Sequence, residues 1–173
     1  MLEAPEEVMR VHGLSGDNLS EAGWDRFRSE LVGRLEAMAD GDAVVVEVTL
    51  PAAAAAPVQA ERSWLSRTFR SKPAQSGQPY IQFAAMEDDW LHLEASSNQC
   101  LSPQFQLDHA AVAALDGLGW SAPTVVEPGG FTAPNYAIDQ PGADAPELAA
   151  LAVRTLIEVF GVTEVAALSI KAV

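Results

Sequence analysis

Three histidines, one cysteine and one run of carboxylates hold whatever catalytic chemistry this sequence could carry. An imidazole can move protons or ligate a metal, but His12, His92 and His109 lie far apart and share no ligand spacing. His92 falls in an alternating stretch and reads as a surface or half-buried ring on a strand, and His109 as a solvent-facing ring in the first turn of a helix. Cys100 is a nucleophile only as a thiolate. The run Ser96-Ser97-Asn98-Gln99-Cys100-Leu101 supplies no basic neighbour to lower its pKa, so a packed thiol is expected. The Glu87-Asp88-Asp89 triplet lacks the ligand alternation of a calcium loop and reads as a solvated turn. Glycine-rich phosphate loops, paired-cysteine motifs, His-Glu-x-x-His and Gly-x-Ser-x-Gly are all missing from the sequence. These residues predict a protein that is not an enzyme, with no catalytic residue, no metal site and no cofactor.

Recognition of another polypeptide fits the remaining features better. Residues 61–72 hold four of the ten basic side chains, Arg62, Arg67, Arg70 and Lys72, together with Trp64, Leu65 and Phe69. On a helix Trp64, Leu65 and Phe69 would share one broad side, and apolar groups of that size gain nothing from exposure, so they are expected to dock. A second set lies on strands. Tyr80, Gln82, Met86, Trp90 and His92, with Val45, Glu47, Thr49 and Glu94, fall on one face if Phe83 and Leu93 face the other way. That mixture of aromatic, thioether and polar groups suits peptide recognition.

The elements that place these residues follow from pattern. Ser20 reads as an N-cap with Leu19 and Trp24 spaced as a hydrophobic staple. Trp24, Phe27, Leu31, Leu35 and Met38 then form one helical stripe, ended by Asp40-Gly41-Asp42. Val44 to Leu50 is a β-branched strand. Residues 51–78 are a long insertion, alanine-rich between prolines and then basic, of a length at which connections are functional or disordered. Tyr80 to Met86 and Trp90 to Ala95 form a hairpin. With Met86 opposite Trp90, Phe83 faces Leu93, Gln82 faces Glu94, and Ile81, Phe83, Leu91 and Leu93 share a face. A helix runs from an Asp108 cap to Gly119, with Trp120 closing a Schellman-type end. Pro123 to Pro134 is a loop, and Asn135 to Ile138 is a short strand. Asp144-Ala145-Pro146-Glu147 opens a last helix through Leu148, Leu151, Leu156, Ile157 and Phe160 to Gly161. Leu168 to Lys171 is an edge strand. Helix, strand, hairpin, helix, strand and helix in this order predict an α+β fold, an antiparallel sheet flanked by helices. Residues 1–18 are a loosely ordered leader and 19–173 one domain carrying the insertion.

Composition bounds the setting. The chain is 173 residues long and 49% hydrophobic, enough for a core of its own. Its formal net charge of −14 opposes nucleic acid as a partner, because phosphates repel the same field. No apolar run is long enough to span a membrane. The acidic start, Met1-Leu2-Glu3-Ala4-Pro5-Glu6-Glu7, does not resemble a signal peptide. A single cysteine cannot form an internal disulfide. A cytoplasmic location is expected from these together.

The C-terminal half carries an order of blocks that resembles a known family. Tyr80-Ile81-Gln82-Phe83 is followed by Asp89-Trp90-Leu91-His92-Leu93-Glu94-Ala95-Ser96-Ser97-Asn98, then Leu115-Asp116-Gly117-Leu118-Gly119-Trp120. Pro134-Asn135-Tyr136 comes next, and Ala149 to Val162, with Ala152-Val153-Arg154-Thr155-Leu156 inside it, comes last. The order is similar to that of actinobacterial TY-Chap domains, grouped with YbjN proteins and type III secretion chaperones. The resemblance covers residues 78–162 and implies a helix-flanked antiparallel sheet, peptide or protein binding, self-association and no cofactor. It defines no binding residues and leaves out the 51–78 insertion. The function expected is therefore chaperone-like binding of a peptide or protein through the sheet face and the insertion. An acidic immunity or inhibitor protein masking a basic toxin surface is the alternative.

Overall fold

The computed structural model describes residues 16–49, 77–124, 133–141 and 144–173. Helix α1, Gly16–Glu36, begins four residues before the expected Ser20 cap, so Leu19 and Trp24 span interior helix positions and not an entry. Its apolar stripe behaves as the spacing demands. Phe27, Leu31 and Leu35 are buried, and Trp24 meets Phe27 edge-to-face with ring centroids 5.9 Å apart. Arg28–Asp25 at 2.7 Å and Arg34–Glu30 at 3.0 Å occupy the outer side.

Five strands form one antiparallel sheet: β1 Ala43–Val48, β2 Tyr80–Ala85, β3 Trp90–Ala95, β4 Tyr136–Pro141 and β5 Leu168–Ala172. Their spatial order is β4-β3-β2-β1-β5. The hairpin has the predicted register, with Phe83 opposite Leu93 and Gln82 opposite Glu94. Met86 N–H donates to the Trp90 carbonyl at 2.8 Å to close it. The C-terminal strand pairs with β1, Ile170 facing Val46. β4 runs to Pro141, past the expected end at Ile138, and this extension sets Asp139 opposite His92.

Helix α2, His109–Gly117, is capped by Asp108, whose carboxylate accepts from Ala111 N–H at 2.8 Å. It ends in the Schellman pair expected. Trp120 N–H donates to the Leu115 carbonyl and Gly119 N–H to that of Asp116, both at 3.0 Å. Gly119 is left-handed there (φ +90°), a conformation a β-carbon would penalise. Helix α3, Ala145–Arg154, starts at the Asp144 cap and continues as a π turn over Thr155–Val159. Thr155 Oγ1 accepts from Trp120 Nε1 at 3.1 Å and donates to the Leu151 carbonyl at 2.9 Å, tying α2's end to the π turn.

The three described helices share one core with one face of the sheet. Leu31, Leu115, Leu148 and Leu156 pack with Val44, Val46, Ile81, Phe83, Leu93 and Tyr136. The period of two then sends the other strand side chains to the opposite face, against which no described helix packs.

Candidate functional site: the second face of the sheet

Alternation places Val45 and Glu47 of β1, Tyr80, Gln82 and Ala84 of β2, and Trp90, His92 and Glu94 of β3 on this second face. Ala137 and Asp139 of β4 and Ser169 and Lys171 of β5 join them. Met86 follows at the hairpin end and packs on Ala43 and Ala84. The face is not uniformly open. Gln82, Ala84, His92, Glu94 and Ser96 are buried, Tyr80 and Met86 are half-buried, and Trp90 is 43% exposed.

A chain of polar contacts runs under its middle. His92 Nδ1 lies 2.6 Å from Asp139 Oδ1, directly across the β3–β4 ladder, and Nε2 lies 3.5 Å from Glu94 Oε1. Glu94 Oε2 accepts from Asn135 Nδ2 at 3.0 Å, and the same amide donates to the Tyr80 hydroxyl at 2.7 Å. Asn135 Oδ1 faces Ser97 N–H at 3.4 Å, and Ser97 Oγ donates to the Pro134 carbonyl. Ser96 Oγ accepts from Tyr80 N–H at 2.8 Å. Beside this end, Ser102 N–H donates to the Gly77 carbonyl at 2.8 Å. Gly77 is left-handed (φ +65°), and a β-carbon there would sit 3.2 Å from the Ser102 backbone nitrogen as well as against its Oγ, so glycine is favoured.

Environment sets the proton on each group. Burial disfavours a charged His92 ring, but hydrogen bonds to Glu94 and Asp139 and their negative charges outweigh it, and its pKa rises above the ordinary value. A ring flanked by two carboxylates satisfies both only as imidazolium, with both nitrogens donating. Burial, then the Glu94 and Cys100 charges, push the Tyr80 phenol up, against the hydrogen bond from Asn135. The Cys100 thiol is pushed up to about 11 by burial and then by Glu94. A thiol held so firmly protonated is a poor nucleophile. Among the described residues, no three His, Cys, Asp or Glu side chains are placed to hold a metal ion.

Tyr80, Gln82, Met86, Trp90 and His92 thus share one face, as the alternation predicts. Gln82 and His92 are nevertheless buried and do not present themselves to solvent, because alternation fixes a side chain's direction and not its accessibility. Trp64, Leu65, Arg67, Phe69 and Arg70 lie outside the described residues. Asn135 and Asp139 escaped the residue-by-residue reading. The first belongs to the Pro134-Asn135-Tyr136 block, where Tyr136 enters the core and Asn135 reaches Tyr80 and Glu94. Continuing the Tyr136, Ile138, Gln140 alternation would have placed Asp139 on the second face.

Among the described residues, shallow hollows occur on the helical side. One of about 300 Å³ lies among His109, Val112, Asp116, Trp120 and Tyr136, and one of about 320 Å³ among Arg28, Val32, Pro146 and Ala150. Neither gathers a convergent polar set like that under the sheet. No described helix is long and apolar enough to cross a membrane.

The described residues form an α+β domain with helices on one sheet face and an aromatic corner on the other. The chain belongs to the family of T3SS (YopN, CesT) and YbjN peptide-binding chaperones, type 3 (TY-Chap3), whose model matches residues 17–173. No curated protein and no solved structure matches it. Family membership gives a chaperone-like, peptide-binding role with a protein or peptide as partner.

Proposed function

We propose that the chain holds an extended segment of a client polypeptide against the second face of the sheet, entering at its hairpin end. The observation that carries this reading is the exposed Trp90 beside Met86, on a face that no described helix covers. Met86 and Trp90 make the first contact, and Tyr80 and His92, bonded through Asn135, Glu94 and Asp139, form the floor beneath with Gln82. Such a floor resists deformation, so ordering costs fall on the client and little on the domain. No covalent step is needed, and in this reading the protein is not an enzyme and takes no cofactor. The basic segment 58–72 adds a second contact in the same reading, because its charge opposes the acidic surplus of the rest of the chain.

Backbone amide NMR with an unfolded, reduced and alkylated model polypeptide tests the surface. Shifts should concentrate at residues 80–94 and 137–140. Shifts on the outward sides of α1 and α3, or none at saturating polypeptide, would defeat the proposal.

A further inference from the structure

The hairpin corner specifies what kind of segment it takes. We propose that Trp90 and the carboxylates around it receive an arginine or lysine side chain of the client, flanked by an apolar residue that rests on Met86. This inference rests on the peptide-binding reading of the same face.

Trp90 is a large apolar side chain left 43% exposed at the open end of a sheet face. An indole ring attracts a cation over its face more strongly than the other aromatic side chains do. Negative charge surrounds it. Glu87, Asp88 and Asp89 are all exposed in the turn that leads directly into Trp90. Asp139 is the diagonal neighbour on β4, since Trp90 pairs with Pro141, and it stays 67% exposed while bonded to His92. The Asp40–Asp42 turn is fastened to the same end, Gly41 N–H to the Ala85 carbonyl at 3.0 Å and Ala85 N–H to that of Asp42 at 2.9 Å.

Apart from the buried His92 ring, which is already engaged by Asp139 and Glu94, the described cations sit elsewhere. Arg26, Arg28 and Arg34 are on α1, Arg154 is on α3, and Lys171, three strands away on β5, is engaged by Glu47. An acidic segment would be repelled here, and a wholly apolar one would strip water from carboxylates and give nothing back. A cation beside an apolar residue satisfies both the ring and its rim. Charge complementarity therefore selects the occupant.

Fluorescence anisotropy with three labelled, unstructured peptides tests this: one of arginine and leucine, one with citrulline for each arginine, and one with glutamate. The arginine peptide should bind about tenfold tighter than the citrulline peptide at low salt. Asp88→Asn with Asp89→Asn should remove most of that preference and leave citrulline binding unchanged. Asparagine tolerates the left-handed backbone at both positions (φ 63° each), so the turn is kept. Trp90→Ala should weaken the arginine peptide about tenfold, with partial recovery in Trp90→Phe. Glu21→Gln with Glu164→Gln removes the same charge far from the corner and should change nothing. Equal binding of arginine and citrulline peptides would overturn the cation site alone, as would an equal loss in the Glu21/Glu164 control. Failure of every peptide to bind would overturn the peptide-binding reading beneath it.

Discussion

Replacing Asp139 by asparagine should destabilise the domain in a pH-dependent way. The His92 ring has a folded pKa above its ordinary value of 6.5, so its stabilisation is complete below that value and is lost as pH rises through the folded pKa. Asp139 contributes through a 2.6 Å contact, short enough for a charge-assisted hydrogen bond. Such bonds contribute about 1.5–3 kcal/mol when well shielded. Asp139 is 67% exposed, however, and solvent screens it, which lowers the expectation to about 1 kcal/mol. Glu94, at 3.5 Å, is too long to replace it fully. Urea unfolding of both proteins from about pH 5.5 to about pH 9 gives the difference directly. It should be near 1 kcal/mol at the acid end and shrink towards the alkaline end, where a neutral ring can still donate one weaker bond. A difference that stayed flat or grew with pH would show that the ring is not charged in the folded state.

Thr155→Val should cost about 1–3 kcal/mol in urea unfolding, because it leaves the buried Trp120 Nε1 without its acceptor, and Thr155→Ser should recover most of it. With its thiol at about 11, Cys100 should react with a disulfide reagent near neutral pH roughly two orders of magnitude more slowly than in urea-unfolded chain. Comparable rates would mean that the thiol is not shielded by burial and by Glu94. Deleting residues 58–72 should leave the urea midpoint in place, since the described core is built from α1, the strands, α2 and α3, and should weaken client binding or self-association. Loss of the cooperative transition would make that segment part of the core.

Local pattern made much of this fold legible. The hairpin register follows from one condition, Met86 opposite Trp90, because a period of two fixes every later pair. The Asp108 and Asp144 caps and the Gly119 end are read from residues adjacent in the chain. What escaped depends on residues distant in sequence. Asp139 looks like loop until His92, on another strand, is set opposite it, so the sequence pattern ends the strand at Ile138. Asn135 acts through Tyr80 and Glu94, neither of them a neighbour in sequence. The start of α1 escaped for a different reason: residues 16–19 show no apolar period, and the serine at 20 imitates a cap. The corner residues Met86 and Trp90 were visible as aromatic and thioether groups on one face. The burial of Gln82 and His92 was not, since sequence alternation carries no information about depth.

β1 lies inside the sheet, yet the strand on its outer side is the last one made. Ribosomal synthesis delivers residues 168–172 long after residues 43–48, an interval on the order of ten seconds at ordinary elongation rates. Throughout that interval one edge of a valine-rich strand has no native neighbour, and such an edge pairs readily with other chains. Premature termination anywhere before Leu168 leaves the same edge permanently open. A shortened product would therefore be sticky as well as inactive. Solubility of the nascent chain then depends on the codons for β5 being read.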